Sequence, residues 1–98
     1  MNLPKSIRVA GIPIKIIRED LSDDECFGYY SPDKKAIFID KSLSRKRVHD
    51  TVRHELMECA LCLGGIAWCE GMETEGVVRC MEEIFFPAWE RFLTRFNQ

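Results

Sequence analysis

The sequence predicts a small α+β domain on three observations. Short apolar alternations broken by turn residues occupy its first part, a helical apolar period begins at Ser44, and a second helical pattern rich in aromatics closes the chain. Its 98 residues with 46% hydrophobic content suffice for one core, so 1–98 reads as a single domain. The expected architecture is a small antiparallel sheet of about three strands, packed on a central helix and a C-terminal helix.

Residues 7–17 read as one strand, in which Ile12, Ile14 and Ile16 alternate with Pro13, Lys15 and Ile17. Pro13 has no N–H to give to a ladder, so it belongs on an unpaired side or at a bulge. The acidic run Glu19, Asp20, Asp23, Asp24 and Glu25 reads as a solvated loop. Residues 26–30 form the next strand. Ser31, Pro32 and Asp33 then signal a turn, because Pro presets the backbone angle and Asp tolerates tight geometry. Ala36–Asp40 returns as its hairpin partner, with Ile37 and Ile39 on one face and Ala36, Phe38 and Asp40 on the other.

Ser44 suits a helix N-cap and Gly64-Gly65 a helix stop. Between them Val48, Val52, Leu56, Ala60 and Leu63 share a face that should cover the sheet. Met57 and Leu61 lie nearly opposite and need a second cover. Residues 73–96 supply it, with Val77, Val78, Met81, Ile84, Phe85, Ala88, Trp89, Phe92 and Phe96 available for burial. Pro87 should kink or split that helix.

A net charge of −2 speaks against a dedicated nucleic-acid binder, which is normally basic. No apolar run approaches the ~20 residues that span a bilayer, and no basic start precedes an apolar run. The expected compartment is the cytoplasm, where five cysteines, an odd number, read as reduced thiols. Cys59-x-x-Cys62 has no second pair to complete a thiolate zinc site, so Cys59, Cys62, Cys69 and Cys80 read as small buried hydrophobes.

The central helix carries His54-Glu55-Leu56-Met57-Glu58. A helical zinc-peptidase motif is His-Glu-x-x-His, because residues four apart share a face and grip one ion while the Glu activates water. Here the second His is Glu58, an oxygen donor on the same face as His54. His54 also has a plainer reading, a histidine hydrogen-bonded inside a helix pair to Glu58 or Glu75. His49 reads as exposed in the first turns of the helix.

Residues 11–93 resemble the small phage and prokaryotic proteins related to the ImmA/IrrE-like metallopeptidases, the minimal gluzincin type. Gly28-Tyr29-Tyr30 and Ala36-Ile37-Phe38-Ile39-Asp40 resemble their hairpin. Leu43-Ser44-Arg45 leading into Val52-Arg53-His54-Glu55-Leu56-Met57-Glu58-Cys59-Ala60-Leu61 resembles their active-site helix. Glu75-Gly76-Val77-Val78-Arg79-Cys80-Met81-Glu82 resembles the segment that gives the third ligand. The resemblance implies His54, Glu58 and Glu75 as metal ligands, with Glu73 as the alternative to Glu75, and Glu55 as general base. It implies that Ile37, Phe38 and Ile39 form the edge against which a peptide pairs. One His with two carboxylates suits Zn²⁺, Mn²⁺ or Fe²⁺, or the protein holds no metal. Without an ion, Glu55, Glu58 and Glu75 would repel one another unless relieved by a raised pKa, by charged His54, or by Arg53 or Arg79.

Two functions are therefore expected. The first is a protein-binding or regulatory module, of phage or prophage origin, that keeps the zincin scaffold for a protein or peptide partner. The alternative is a minimal metal-dependent peptidase in which Glu55 activates water. Direct DNA contact is not expected, although Lys41, Arg45, Lys46 and Arg47 form a basic patch that opposes the helix dipole. That patch reads as a solvated face. Phe85, Phe86, Trp89, Phe92 and Phe96 are expected to be mostly core, with Phe86 or Phe96 left exposed.

Overall fold

The computed structural model describes residues 3–96, apart from the side chain of Phe96, so the expectation for that ring lies outside the described residues. The fold is α+β, with β1 (Ser6–Val9), β2 (Ile12–Glu19), β3 (Gly28–Ser31), β4 (Ala36–Asp40), α1 (Arg45–Leu63), α2 (Thr74–Cys80) and α3 (Phe86–Phe96). Residues 7–17, expected as one strand, are a hairpin. Ala10 (φ 51°) and Gly11 (φ 77°) both take positive φ, the signature of a tight two-residue turn. The apolar pattern ran unbroken across that turn and hid it.

The four strands lie in the order β1-β2-β4-β3. β1–β2 and β3–β4 are antiparallel, but β2 and β4 run parallel with Lys15 opposite Ala36 and Glu19 opposite Asp40. The sheet is thus mixed where an antiparallel one was expected. Amide groups alternate in direction along a strand, and Ile16 N–H donates to Lys5 while Lys15 N–H donates to Lys35. Pro13 therefore faces the β4 side before the β4 pairing begins, so its missing N–H costs no bond.

Because β4 lies between β2 and β3, Ile37, Phe38 and Ile39 are not on an edge, contrary to the expectation. All five of its residues are buried. Ile37 and Ile39 join Ile14, Ile16, Val48 and Cys59 under α1. Ala36 and Phe38 are covered on the other face by Leu21, which comes from the acidic loop. Asp40 fixes that loop, since its carboxylate accepts from Leu21 N–H at 2.9 Å and from the Ser42 hydroxyl at 2.5 Å. β3 is the edge strand beside α1.

Ser44 caps α1 by accepting from Arg47 N–H at 3.3 Å, and Gly64-Gly65 ends the helix. The stripe facing the sheet is Val48, Thr51, Glu55 and Cys59, displaced from the expected apolar one. Of the expected face, Val48 is core, and Val52, Leu56 and Leu63 pack against that core partly buried. Val52, Leu56 and Ala60 also line an open groove of about 760 Å³ beside Leu3 and Pro4. Gly28 explains the shift. A Cβ there would lie 2.6 Å from the Phe38 carbonyl oxygen and 2.8 Å from Thr51 Cγ2, so its absence lets α1 settle onto β3. Met57 and Leu61 line a cavity of about 220 Å³ together with Val77, Val78, Met81 and Phe86 of the closing segment.

Met81–Phe85 is a π-helical turn between α2 and α3, ending two residues before Pro87. A proline clashes with the carbonyl four residues earlier, and the wider turn moves that carbonyl aside. Most of the closing aromatics are not core: Ile84, Phe85, Trp89 and Phe92 are 67, 46, 46 and 50% exposed. Phe86 is half-buried. Lys41, Arg45, Lys46, Arg47 and His49 are exposed, as expected. Of the cysteines expected to be buried, Cys59 is, whereas Cys69 and Cys80 are exposed. Among the described residues no helix is long and apolar enough to cross a membrane.

Candidate metal centre

His54, Glu55 and Glu58 each bring a ligand atom within 4.8 Å of the others. They come from one turn and a half of α1, so the helix itself sets their spacing. His54 Nε2 lies 3.8 Å from Glu58 Oε1. Two atoms bound to one tetrahedral ion at ~2.0–2.1 Å are roughly 3.3 Å apart, so this pair needs only a small rotamer adjustment to share an ion.

Glu82, from the π turn, holds the other ring nitrogen. Its Oε2 is 3.0 Å from His54 Nδ1. Nδ1 can donate to this carboxylate while Nε2 faces Glu58. This is how an outer carboxylate orients a metal-binding imidazole. The sequence reading offered Glu58 or Glu75 as the partner of His54 and missed Glu82. Its signal is the seven-residue spacing from Glu75, two helical turns that return to one face.

Glu75 stands at the start of α2 beside Glu58. Hydrogen bonding to Glu58 raises its pKa, with burial and the Glu58 charge adding to it, against the pull of His54 and Arg79. Glu75 and the alternative ligand Glu73 are both exposed, and neither is one of the three residues whose ligand atoms lie within 4.8 Å of one another. The Glu73 carboxyl group lies by Gly76.

Glu55 is only 6% exposed, and its Oε1 is buried with no hydrogen-bond partner among the described residues. Burial first, then hydrogen bonding and repulsion from Glu58 and the charge of Glu75, push its pKa to about 9. The Tyr30 backbone N–H beside it pulls the other way. That N–H points off the side of β3 away from β4, because Phe27 and the odd-numbered residues after it face β4. Glu55 thus sits between His54 and Glu58 on α1 and the outer edge of the sheet.

The buried Glu55 Oε1 without a partner, beside one imidazole and a second carboxyl group, is the kind of site whose polar groups a cation could satisfy. The donor set of one nitrogen with several oxygens fits a divalent cation such as Zn²⁺, Mn²⁺ or Fe²⁺. A cleft of about 300 Å³ opens beside it, lined by Phe27, Gly28, Arg47, Thr51, His54 and Glu82 among others. Arg47 lies over the Phe27 ring at 5.1 Å and forms its far wall. Comparison of the chain with protein-family models, curated proteins and solved structures finds no match.

Proposed function

We propose that this chain is a zincin-like module that holds a divalent cation through His54 Nε2, Glu58 and Glu75 and binds an extended protein segment along the free edge of β3. The observation that carries the reading is the 3.0 Å contact between Glu82 and His54 Nδ1, which aims Nε2 at Glu58. A histidine that served packing alone would not need a carboxylate on each side. The outward N–H and C=O groups of Gly28, with the adjoining cleft, suit pairing by an added strand. A cytoplasmic setting and a regulatory role belong to the same proposal, supported by the odd cysteine count.

The buried, unpartnered Oε1 of Glu55 favours a second reading, a minimal metal-dependent peptidase. A bound cation would supply Lewis acidity and a stronger nucleophile at neutral pH. Glu55 holds its proton at neutral pH while its pKa stands near 9, so it becomes a base only when a positive charge lowers that value. It would then take a proton from the attacking water and return it to the leaving amine. His54 and Glu82 fix the position of the site, and the wall formed by Phe27 and Arg47 orients the chain being held.

Elemental mass spectrometry of the purified protein, with zinc titrated by calorimetry, tests the site. One metal per chain is expected, lost in His54→Ala and weakened ~10–100-fold in Glu82→Gln. Protein without metal, and with no heat of zinc binding, would refute it. Glu55→Gln separates the two functions: partner binding survives in a binding module, and peptide cleavage is abolished in a peptidase.

A further inference from the structure

We propose that the segment held along β3 carries an acidic side chain opposite Gly28, which enters the adjoining cleft and pairs with Arg47. The inference rests on strand addition at β3 and not on the metal. Among the described residues nothing bonds the outward N–H and C=O of Gly28. An antiparallel strand would exchange both bonds with it through a single residue. Directly opposed residues send their side chains to the same face of a sheet. At Gly28 that face is the one under α1, since a Cβ there would lie 2.8 Å from Thr51 Cγ2. The opposed side chain therefore turns toward α1, where the cleft opens beside Gly28.

At about 300 Å³ the cleft has room for one such side chain, and its charged walls select the sign. Its own acids are already engaged. Glu82 contacts His54 at 3.0 Å, Asp50 faces His49 at 3.6 Å, and Glu55 is buried against the Tyr30 N–H. Arg47 is exposed, and among the described residues no carboxylate pairs with it. It is held instead over the Phe27 ring, 5.1 Å from the centroid. A guanidinium stacked on a ring keeps its fork of N–H donors for a carboxylate, and the stacking reduces the freedom it loses on binding.

Helix stability does not call for an arginine here. Ser44 caps α1 by accepting from Arg47 N–H, which makes Arg47 the third helical residue. At that position a glutamate would complete a capping box and suit the positive end of the helix dipole. Arg47 forgoes both contributions. A carboxylate bound beside it brings the negative charge that this end of α1 lacks. A lysine or arginine in the segment would instead meet Arg47 as a like charge.

A displayed library of random peptides about ten residues long, selected on the full chain, reads the preference without assuming a sequence. The enriched peptides are expected to share one acidic position. In fluorescence anisotropy, Gln at that position of the best peptide should weaken binding about tenfold, and so should Arg47→Glu in the protein. Lys46→Glu, a neighbouring charge outside the cleft, should change it less than about threefold. Arg47→Glu should also reverse the preference, so that a Lys form of the peptide binds better than the acidic form. The variant completes the Ser44 capping box, so α1 and the circular dichroism spectrum are retained. Enriched peptides that share no acidic position, or one indifferent to Arg47→Glu, overturn the inference. Strand addition still stands in that case if N-methylation of alternate peptide amides abolishes binding. Binding that survives N-methylation, or a library that yields no binder, overturns strand addition and the inference with it.

Discussion

The sheet with α1 and the segment from α2 to α3 are packed in opposite ways. In the first, Ile14, Ile37, Ile39 and Cys59 have no exposed surface, and a missing Cβ at Gly28 is needed for helix and strand to meet. In the second, Val78 alone is fully buried among the described side chains, and large apolar groups face outward. The candidate centre draws His54, Glu55 and Glu58 from the tight half and Glu75 and Glu82 from the looser one. Its geometry thus depends on how firmly the closing segment is held, and a bound ion would join the two halves.

The largest expected break in this contrast comes from paired glycine substitutions. Gly28→Ala drives a methyl group against the Phe38 carbonyl and Thr51, and should cost about 3 kcal/mol of unfolding free energy. Gly76→Ala meets only Glu73, at 3.7 Å or more, within a helix. It should stabilise by up to ~1 kcal/mol. Urea denaturation of both variants measures this, and equal effects would erase the distinction between the halves.

A smaller effect concerns pH. The folded chain holds the Glu55 proton up to about pH 9, whereas an unfolded carboxyl group releases it near 4.5. Folded protein then binds more protons than unfolded protein between those values. Metal-free stability should therefore be greatest at the acid end of this window and fall as pH rises through it. Glu55→Gln should flatten the slope, as read from melting temperatures across the window. A saturating divalent cation should flatten it too, because Glu55 then ionises in the folded state.

The smallest expected effect is at the helix start. Ser44→Ala removes the cap on Arg47 N–H and should cost about 1 kcal/mol, measured by the same urea curves. This is also where the sequence was most legible. Ser44, Gly64-Gly65 and the turn at Ser31-Pro32-Asp33 act through near neighbours, so local chemistry names them. The parallel register of β2 on β4 joins residues far apart in sequence, and no local pattern encodes it.

The stripe on α1 was legible only in part for a related reason. Apolar periodicity selected Val48, Val52, Leu56, Ala60 and Leu63. Of these Val48 is fully core and Val52, Leu56 and Leu63 pack against that core, but Thr51 and Glu55 also took the buried side. A buried carboxyl group breaks the rule that polar groups face water, and such breaks collect where a chain has chemistry to perform. His54 with Glu58 was readable from spacing alone. Glu82 became visible only when the π turn brought it across to His54.

That π turn also sets the phase of everything after it. Each residue of an α-helix advances the facing direction by about 100°. Removing one residue from Met81–Phe85 would rotate α3 by about that angle relative to α2, carrying Trp89 away from its outward bearing. The wide turn works as a gear between two surfaces. It keeps Glu82 aimed inward at the histidine while the exposed aromatics look outward, and a one-residue slip would exchange neither direction without losing the other.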